Sequence, residues 1–151
     1  MNRTDRERND PAFIADVLER AETMFLAFID QDSPYCIPVN YAVSGNRIYI
    51  HSARSGLKLN CIQAKPQVAF SAAVDIAIDV EHSTTWYKSI AGRGNAAVVA
   101  DREEKGLALD LIASRYRAAC KRPASISAIN RVAIIRIEIT QISGKGHIQA
   151  G

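Results

Sequence analysis

The chain has 151 residues, of which 48% are apolar and 23% are charged, and its formal net charge is +3. These values are typical of a soluble globular protein, so we expect residues 1–151 to form a single domain. The basic residues are scattered and are not interleaved with aromatic residues, which argues against nucleic-acid binding. No apolar run is long enough to span a membrane, and the amino-terminal residues lack the apolar core of a signal peptide. We therefore expect a cytoplasmic protein without a membrane or nucleic-acid partner.

The three cysteines, Cys36, Cys61 and Cys120, are widely separated along the chain. They form neither a CxxC pair nor a cluster with histidine at the spacing of a metal site. We expect them to be buried or half-buried free thiols in a reducing compartment, and we expect no metal centre.

The first third of the chain predicts one helix followed by three strands. An acidic N-cap at Asp10 and the proline after it begin a helix whose apolar stripe continues to about residue 22. Strands are expected over 24–29, 35–43 and 47–51, joined by short turns into a meander. Pro38 cannot donate a hydrogen bond to a neighbouring strand, so it predicts an edge strand or a bulge.

The middle of the chain predicts a short helix and two long strands. The helix follows the polar turn 52–56 and ends before Pro66. The strands are expected over 67–80 and 84–100, and the glycines at 92 and 94 predict a bulge or a sharp bend in the second of them.

The last third predicts a long helix, a strand and a short tail. The helix is expected over 101–120, with a capping box formed by Asp101 and Glu104, and ends at 121–123. The strand is expected over 131–142, and the tail follows it at 143–146. Four residues are expected to form the buried stripe of the helix: Leu107, Leu111, Ile112 and Tyr116.

The order of these elements predicts the fold class. Neighbouring strands are joined by hairpins, and there are too few helices for repeated βαβ units. We therefore expect a mainly β fold, an antiparallel β-barrel with peripheral α-helices, rather than a Rossmann sheet.

The segment 48–60, IYIHSARSGLKLN, has the composition of a phosphate site. A strand that ends in a small, polar turn and continues into a helix presents free backbone N–H groups, and Lys58 adds a positive charge. The alternative is an ordinary strand-to-helix turn with a solvated lysine. The segment alone favours this alternative, because short motifs often match by chance.

Other polar and aromatic residues each have a structural interpretation that is at least as well supported by the sequence as the functional one. His51 is a candidate acid/base group, or a hydrogen-bonded histidine at a strand end. Trp86 and Tyr87 could flank a planar ligand or a partner subunit, or pack in the core. Ser89 could donate a hydrogen bond to a heterocyclic ligand or to a neighbouring strand. No serine nucleophile elbow or metal-ligand cluster accompanies them, so hydrolase and metalloenzyme functions are disfavoured.

Five segments together resemble a known family. They are DRERNDPAFIADVLERA, SPYCIPVNYAV, IYIHSARSGLK, WYKSIAGRGNA and VAIIRIEITQISGK, and they span nearly the whole chain. In this order and spacing they resemble the pyridoxamine 5'-phosphate oxidase-like FMN-binding split barrels, and within them the nitroimidazole-resistance branch. The resemblance implies a homodimer in which FMN lies in a groove between two barrels.

The resemblance also implies roles for individual residues. Val39 and Asn40, after Pro38, would run beside the isoalloxazine, and Ser89 matches a position that reaches the polar edge of the flavin. Five further positions would follow the ribityl chain to the phosphate: His51, Ser52, Ala53, Gly56 and Lys58. The histidine that corresponds to His51 is also close to the substrate in the resistance branch.

Two departures from the family pattern bear on function. Leu57 occupies the place where oxidases of the family have an arginine, so one contact to the phosphate is missing unless Arg54 or another basic residue replaces it. The residues that bind pyridoxal phosphate in true pyridoxamine oxidases are not recognisable, so that reaction is not predicted.

The predicted activity is flavin-dependent transfer of electrons or hydride to a small, flat acceptor such as a nitroaromatic compound, with a nicotinamide as a plausible donor. One alternative is a non-catalytic protein that binds a flavin, haem or a deazaflavin on the same barrel. Another is a dimeric scaffold whose groove has lost its ligand.

Overall fold

The computed structural model describes residues 4–116 and 125–148. Within these ranges the helices are α1 (Pro11–Arg20), α2 (Leu57–Ala64), α3 (Arg102–Tyr116) and α4 (Ile126–Arg131), and a 3₁₀ turn at Thr4–Arg6 precedes them. The strands are β1 (Met24–Asp30), β2 (Ser33–Val39), β3 (Ala42–Ser44), β4 (Arg47–Ser52), β5 (Gln67–Asp79), β6 (Thr84–Val98) and β7 (Ala133–His147).

The strands form one sheet in the order β2-β1-β5-β6-β7-β4-β3, and every neighbouring pair is antiparallel. β2 and β3 lie at opposite ends of this order, although only residues 40 and 41 separate them in the chain. A flat sheet would place the two strands about 29 Å apart, whereas the connection reaches about 11 Å at most. The sheet must therefore curl round on itself, and the predicted antiparallel barrel is confirmed.

Two apolar clusters hold the fold together. The larger one fills the barrel, and helices α1 and α2 contribute to it through residues such as Leu18 and Ile62. The smaller one lies between α3 and the outer face of β3, β4 and β7, where Ala108 and Ile112 pack on Tyr49 and Ile134. The helices therefore cover only part of the outer surface of the barrel.

Several local predictions are confirmed by the structure. Asp10 caps α1, and its Oδ1 accepts a hydrogen bond of 2.8 Å from the Phe13 N–H. Gly45, at φ 56°, begins the tight turn between β3 and β4. β2, which contains Pro38, is an edge strand. The pairing of β6 with β7 shifts register between Arg93 and Gly94, but the extra residue, Thr140, lies in β7 rather than in β6.

The predicted three-stranded meander is wrong. The apolar run 35–43 is divided between β2 and β3, which lie at the two ends of the sheet order. Tyr41, in the connection between these two strands, is fully buried. Its burial favours the crossing of the chain from one end of the sheet order to the other. β1–β2 and β3–β4 are therefore two separate hairpins.

The predicted buried stripe of α3 is wrong at two positions. Leu107 and Leu111 are exposed, and the helix instead buries Ala108 and Ile112, because the small side chain of Ala108 allows close approach to the sheet. The capping box is half formed. Asp101 accepts a 2.7 Å hydrogen bond from the Glu104 N–H, but the Glu104 carboxylate bonds Tyr49 and Arg136 instead of returning to the cap.

The carboxyl-terminal predictions also need correction. Residues 143–146 are not a tail, because they continue β7 and pair with β6. Helix α4 was not predicted. Cys36 is exposed rather than buried, while Cys61 is buried as expected. The predicted end of the long helix at 117–123, including Cys120, lies outside the described residues.

Among the residues described, no helix is both long enough and apolar enough to cross a membrane.

Gly92 tests the close packing of β6 on its neighbouring strands beside the register shift. A Cβ at this position would clash with the Phe70 ring and lie 2.7 Å from the Gln141 carbonyl oxygen. We expect Gly92→Ala to lower the free energy of unfolding by about 1–3 kcal/mol, measured by urea denaturation. Gly106→Ala is the control, because a Cβ there meets only Ile129 Cδ1 at 3.4 Å. It should raise stability by about 0.5–1 kcal/mol, since alanine favours a helix. Equal stability of the two variants would contradict this packing.

Candidate functional site

The β3–β4 hairpin brings the first group of predicted site residues together. Ala42 pairs with Tyr49, so Asn40, two residues earlier, and His51, two residues later, lie at the same end of the hairpin. The His51 side chain is exposed and shares the outer face of β4 with Tyr49, whose ring is buried under α3. Val39 ends β2 beside Asn40 and is buried, so the candidate flavin-side residues converge on this end of the barrel.

The turn after β4 leads directly into α2. β4 ends at Ser52, and Ala53 begins a four-residue connection that ends at Gly56, the N-cap of α2. Gly56 has φ 134°, a conformation that favours glycine, and it offers no side chain to cap the helix. The first N–H groups of a helix have no partner within the helix, so those of Leu57 and Lys58 are available to an anion.

Lys58 is the cation of this turn. Its side chain is half-buried, and burial lowers the pKa of its ammonium group. Within the described parts of the chain, its Nζ makes no hydrogen bond or ion pair. Removing a positive charge from water without giving it a partner costs free energy. An anion bound at this position would offset that desolvation cost. Leu57, beside it, is 45% exposed, and Arg54 in the same turn is also exposed.

Ser89 is on a different part of the sheet from this turn. Ser52 pairs with Ala133 at the start of β7, whereas Ser89 pairs with Lys145, twelve residues further along that strand. That separation is up to about 40 Å along the strand. The Ser89 hydroxyl donates a 3.2 Å hydrogen bond to the Lys145 carbonyl. The structure thus brings seven of the eight predicted residues to one end of the barrel, whereas Ser89 lies further along β6 and pairs with a distant part of β7.

None of the described helices lies over one broad apolar surface of the barrel. It is the outer face of β1, β2, β5 and β6, and we call it the uncovered face. It contains a cavity of about 550 Å³, lined by small side chains such as Ala69 and Ala91 and by Phe25, which is 53% exposed. Ser89 lies on the same side of β6 as Ala91, two residues away. Arg93, next on that side, makes no side-chain hydrogen bond to any described residue.

Charged residues stabilise the outer surface between His51 and α3. The Tyr49 hydroxyl donates to Glu104 Oε1 at 2.9 Å, and Arg136 Nη1 donates to Glu104 Oε2 at 2.9 Å. Burial alone would raise the pKa of Glu104, but these bonds outweigh it and hold the pKa below its usual range. The N-terminal end of α3 is therefore tied to the strand that carries His51.

A second ionic cluster surrounds a bulge in β5 beside Ser89. Asp75 has φ 54°, and the register of β5 with β6 shifts there. Arg20 binds both carboxylate oxygens of Asp75, and Lys88 donates to Asp16 at 3.0 Å. The hydrogen bond from Arg20 lowers the pKa of Asp75. This cluster directs Lys88 inward, and the alternation of the strand then turns Ser89 outward.

The aromatic candidate Trp86 has structural partners. The Trp86 ring packs on His147 with centroids 4.2 Å apart, and its Nε1 donates to Asp79 at 3.1 Å. His82 also bonds Asp79 through its ring. In residues 4–116 and 125–148 there is no group of three or more histidine, cysteine or acidic side chains that could hold a metal ion.

Sequence patterns did not single out Tyr41, Arg115 or the hydroxyl of Tyr116. The Tyr116 hydroxyl accepts a 3.1 Å hydrogen bond from the Tyr41 N–H, next to Asn40, and Arg115 lies over the Tyr41 ring at 4.3 Å. These contacts join residues 75 positions apart, so no local pattern could have found them. The position of Tyr41 after a candidate flavin-side residue was the only available signal.

Several solved structures have the same fold as this chain. A candidate 5-nitroimidazole antibiotic resistance protein from Bacteroides thetaiotaomicron is 25% identical, with a TM-score of 0.84 over 92% of this chain and 85% of its own. An FAD and haem binding protein from Mycobacterium smegmatis is 18% identical, with a TM-score of 0.80 over 97% of this chain and 76% of its own.

The flavocytochrome Anf3 from Azotobacter vinelandii is 17% identical, with a TM-score of 0.78 over 95% of this chain and 70% of its own. These similarities confirm the split-barrel fold.

A search of curated protein sequences found no significant match. Residues 10–146 match the family described as pyridoxamine 5'-phosphate oxidase. Because the match covers most of the chain, the protein belongs to the pyridoxamine 5'-phosphate oxidase family.

Proposed function

We propose that this protein is an FMN-dependent oxidoreductase that reduces a small, flat acceptor, with each flavin held between two copies of the chain. The observation that carries the proposal is Lys58, a half-buried cation without a partner in the described residues, beside the free N–H groups that follow Gly56. This donor set fits a phosphate monoester. Family membership supplies the flavin, and the nearby fold relatives include flavin- and haem-binding proteins.

Each group of residues has a role in this proposal. Lys58 and the N–H groups of residues 57 and 58 hold the phosphate, and Ser52 and Ala53 follow the ribityl chain. Val39 and Asn40 lie beside the ring. The bound flavin supplies the redox chemistry, so the protein needs only to bind it, orient it and exclude water. His51, exposed beside Asn40, is the proposed acid/base group, because an imidazole ring can both donate and accept a proton.

A second copy of the chain completes the site in this proposal. Ser89 pairs with β7 twelve residues away from the position that pairs with Ser52, and it borders the uncovered face. An exposed apolar surface of this kind is typical of a protein–protein interface. A dimer formed through the uncovered face would bring Ser89 of one copy toward the flavin end of the other.

The nitroaromatic substrate is the narrowest form of the proposal. It is supported by the likeness to the candidate nitroimidazole resistance protein, which is 25% identical over most of the chain. A nicotinamide is the proposed electron donor, and the cytoplasm is the proposed location. Activity is tested by mixing FMN-loaded protein with NADH or NADPH and a nitroimidazole under anaerobic conditions. Reduction that depends on both protein and donor is expected; flavin that stays oxidised would exclude this donor.

A non-catalytic cofactor-binding protein is the second candidate. Leu57 favours it, because an exposed apolar residue stands where oxidases of the family have an arginine. Titration with FMN, haem and a deazaflavin, followed by visible absorbance, separates the two functions. Preferential uptake of haem would favour the second. A protein that stays dimeric but binds none of the three would be a scaffold without a ligand.

Lys58 gives the most direct test of the phosphate site. We expect Lys58→Ala to raise the dissociation constant for FMN by about 10-fold or more, because one charge-assisted contact is lost. Quenching of flavin fluorescence measures the constant. Lys65→Ala is the control, because Lys65 lies at the other end of α2 and bonds Gln31 and Asp32. The phosphate assignment is wrong if the two variants bind FMN equally well.

Leu57 gives a test in the opposite direction. We expect Leu57→Arg to tighten FMN binding by about 10-fold, because it supplies the second cation that the family usually has. Riboflavin has no phosphate and should bind the variant and the wild type alike. A variant that gains affinity for both compounds would indicate a contact to the ring rather than to the phosphate.

The uncovered face gives a test of assembly. We expect Phe25→Glu to convert a dimer to a monomer and to weaken FMN binding, because it places a charge in an apolar interface. Analytical ultracentrifugation measures the mass. Leu107→Glu is the control, since Leu107 is 60% exposed on α3, away from the uncovered face. If Phe25→Glu remains dimeric, the copies associate through another surface.

A further inference from the structure

The two-residue connection between β2 and β3 closes the barrel, and we call residues 40 and 41 the seam. Tyr41 has no strand pairing at this point, so its N–H needs another partner. The Tyr116 hydroxyl, at the end of α3, accepts that hydrogen bond at 3.1 Å and donates its own proton to the Glu22 carbonyl at 2.7 Å. One side chain from a distant helix therefore fixes the backbone of the seam.

The Tyr41 side chain is held from two sides. Its hydroxyl donates to the Leu18 carbonyl at 2.7 Å, at the end of α1. Burial is the main reason that the pKa of Tyr41 rises to about 12, so the hydroxyl remains a donor at neutral pH. Arg115 lies over the ring at 4.3 Å and donates to the carbonyls of Leu18 and Ala21 at 2.8 and 2.6 Å.

Nothing comparable holds Asn40. Its side chain is exposed and makes no hydrogen bond to a described residue, and it lines a cavity of about 390 Å³ together with Arg115 and Tyr116. This open space leaves room for the seam to shift if the Tyr116 contact is lost. The position of Asn40 is set by Val39, which pairs with Met24, and by Tyr41.

We propose that Tyr116 and Arg115 are positioning residues for the flavin, which act by fixing Tyr41 and through it Val39 and Asn40 beside the ring. This inference rests on the proposed function. Both residues act through the seam and neither is assigned a contact with the flavin or the substrate. They set the distance and tilt of Val39 and Asn40 relative to the isoalloxazine. Through this geometry they determine the affinity for FMN and the environment of its ring.

Two substitutions can test this role without removing the packing that stabilises the fold. The Leu18 carbonyl accepts from both Tyr41 and Arg115, so removal of Arg115 leaves that carbonyl with a donor. Arg115→Met keeps a long apolar side chain against the Tyr41 ring and should fold. Tyr116→Phe keeps the aromatic ring and removes only the hydroxyl that holds the Tyr41 N–H.

The experiment compares Tyr116→Phe with Tyr49→Phe. Both changes remove a tyrosine hydroxyl bonded at an end of α3, because Tyr49 bonds Glu104 near the start of that helix. Dissociation constants for FMN, the visible circular dichroism of bound flavin and the thermal midpoint of the flavin-free protein are measured. We expect Tyr116→Phe to weaken FMN binding about tenfold and to change the circular dichroism, with Arg115→Met acting in the same direction. Tyr49→Phe should lower the thermal midpoint comparably but keep the wild-type affinity and spectrum.

The other outcomes are also decisive. Wild-type affinity and spectrum in both Tyr116→Phe and Arg115→Met would overturn the positioning role and leave the proposed function intact. Equal loss of affinity in Tyr116→Phe and Tyr49→Phe would also overturn it, because the effect would then follow stability alone. A wild-type protein that binds no FMN would overturn the proposed function, and this inference with it.

Discussion

The fold depends on a short connection between the two ends of the sheet. Residues 40 and 41 must join strands that a flat sheet would place about 29 Å apart, so the sheet closes into a barrel. Closure gives the barrel an interior that α1 and α2 complete with apolar side chains. The same closure brings Asn40 to the end of the barrel where β4 presents His51. The candidate site is thus a consequence of how the barrel closes.

The outer surface is divided into two parts with different roles. Helix α3 covers β3, β4 and β7 and is tied to them by the bonds of Glu104 with Tyr49 and Arg136. No described helix lies over the uncovered face, which exposes apolar residues such as Phe25. Lys58, at the start of α2, is a half-buried cation with no counter-charge among residues 4–116 and 125–148. An exposed apolar face and a half-buried cation are the two unusual features of this surface.

Local chemistry explains which predictions succeeded. The cap at Asp10, the turn at Gly45 and the bulge beside Gly94 each follow from one or two residues whose conformational preferences are strong. The crossing at Asn40 and Tyr41 could not be predicted in this way, because it follows from the burial of Tyr41 and from a hydrogen bond to Tyr116. The site residues of segment 51–58 are neighbours in sequence and were found together, whereas the distance of Ser89 became clear only from the pairing of β6 with β7.

The order of the strands also affects how the chain folds while it is being synthesised. β4 pairs with β7, and Ser52 must wait for Ala133, which is 81 residues later, before that pairing can begin. At a synthesis rate of about 5–20 residues per second, this delay is roughly 4–16 s. During that time the β3–β4 hairpin has a free edge next to the apolar residues Ile48 and Ile50. The newly made chain is therefore exposed to aggregation on the ribosome until its last strand emerges.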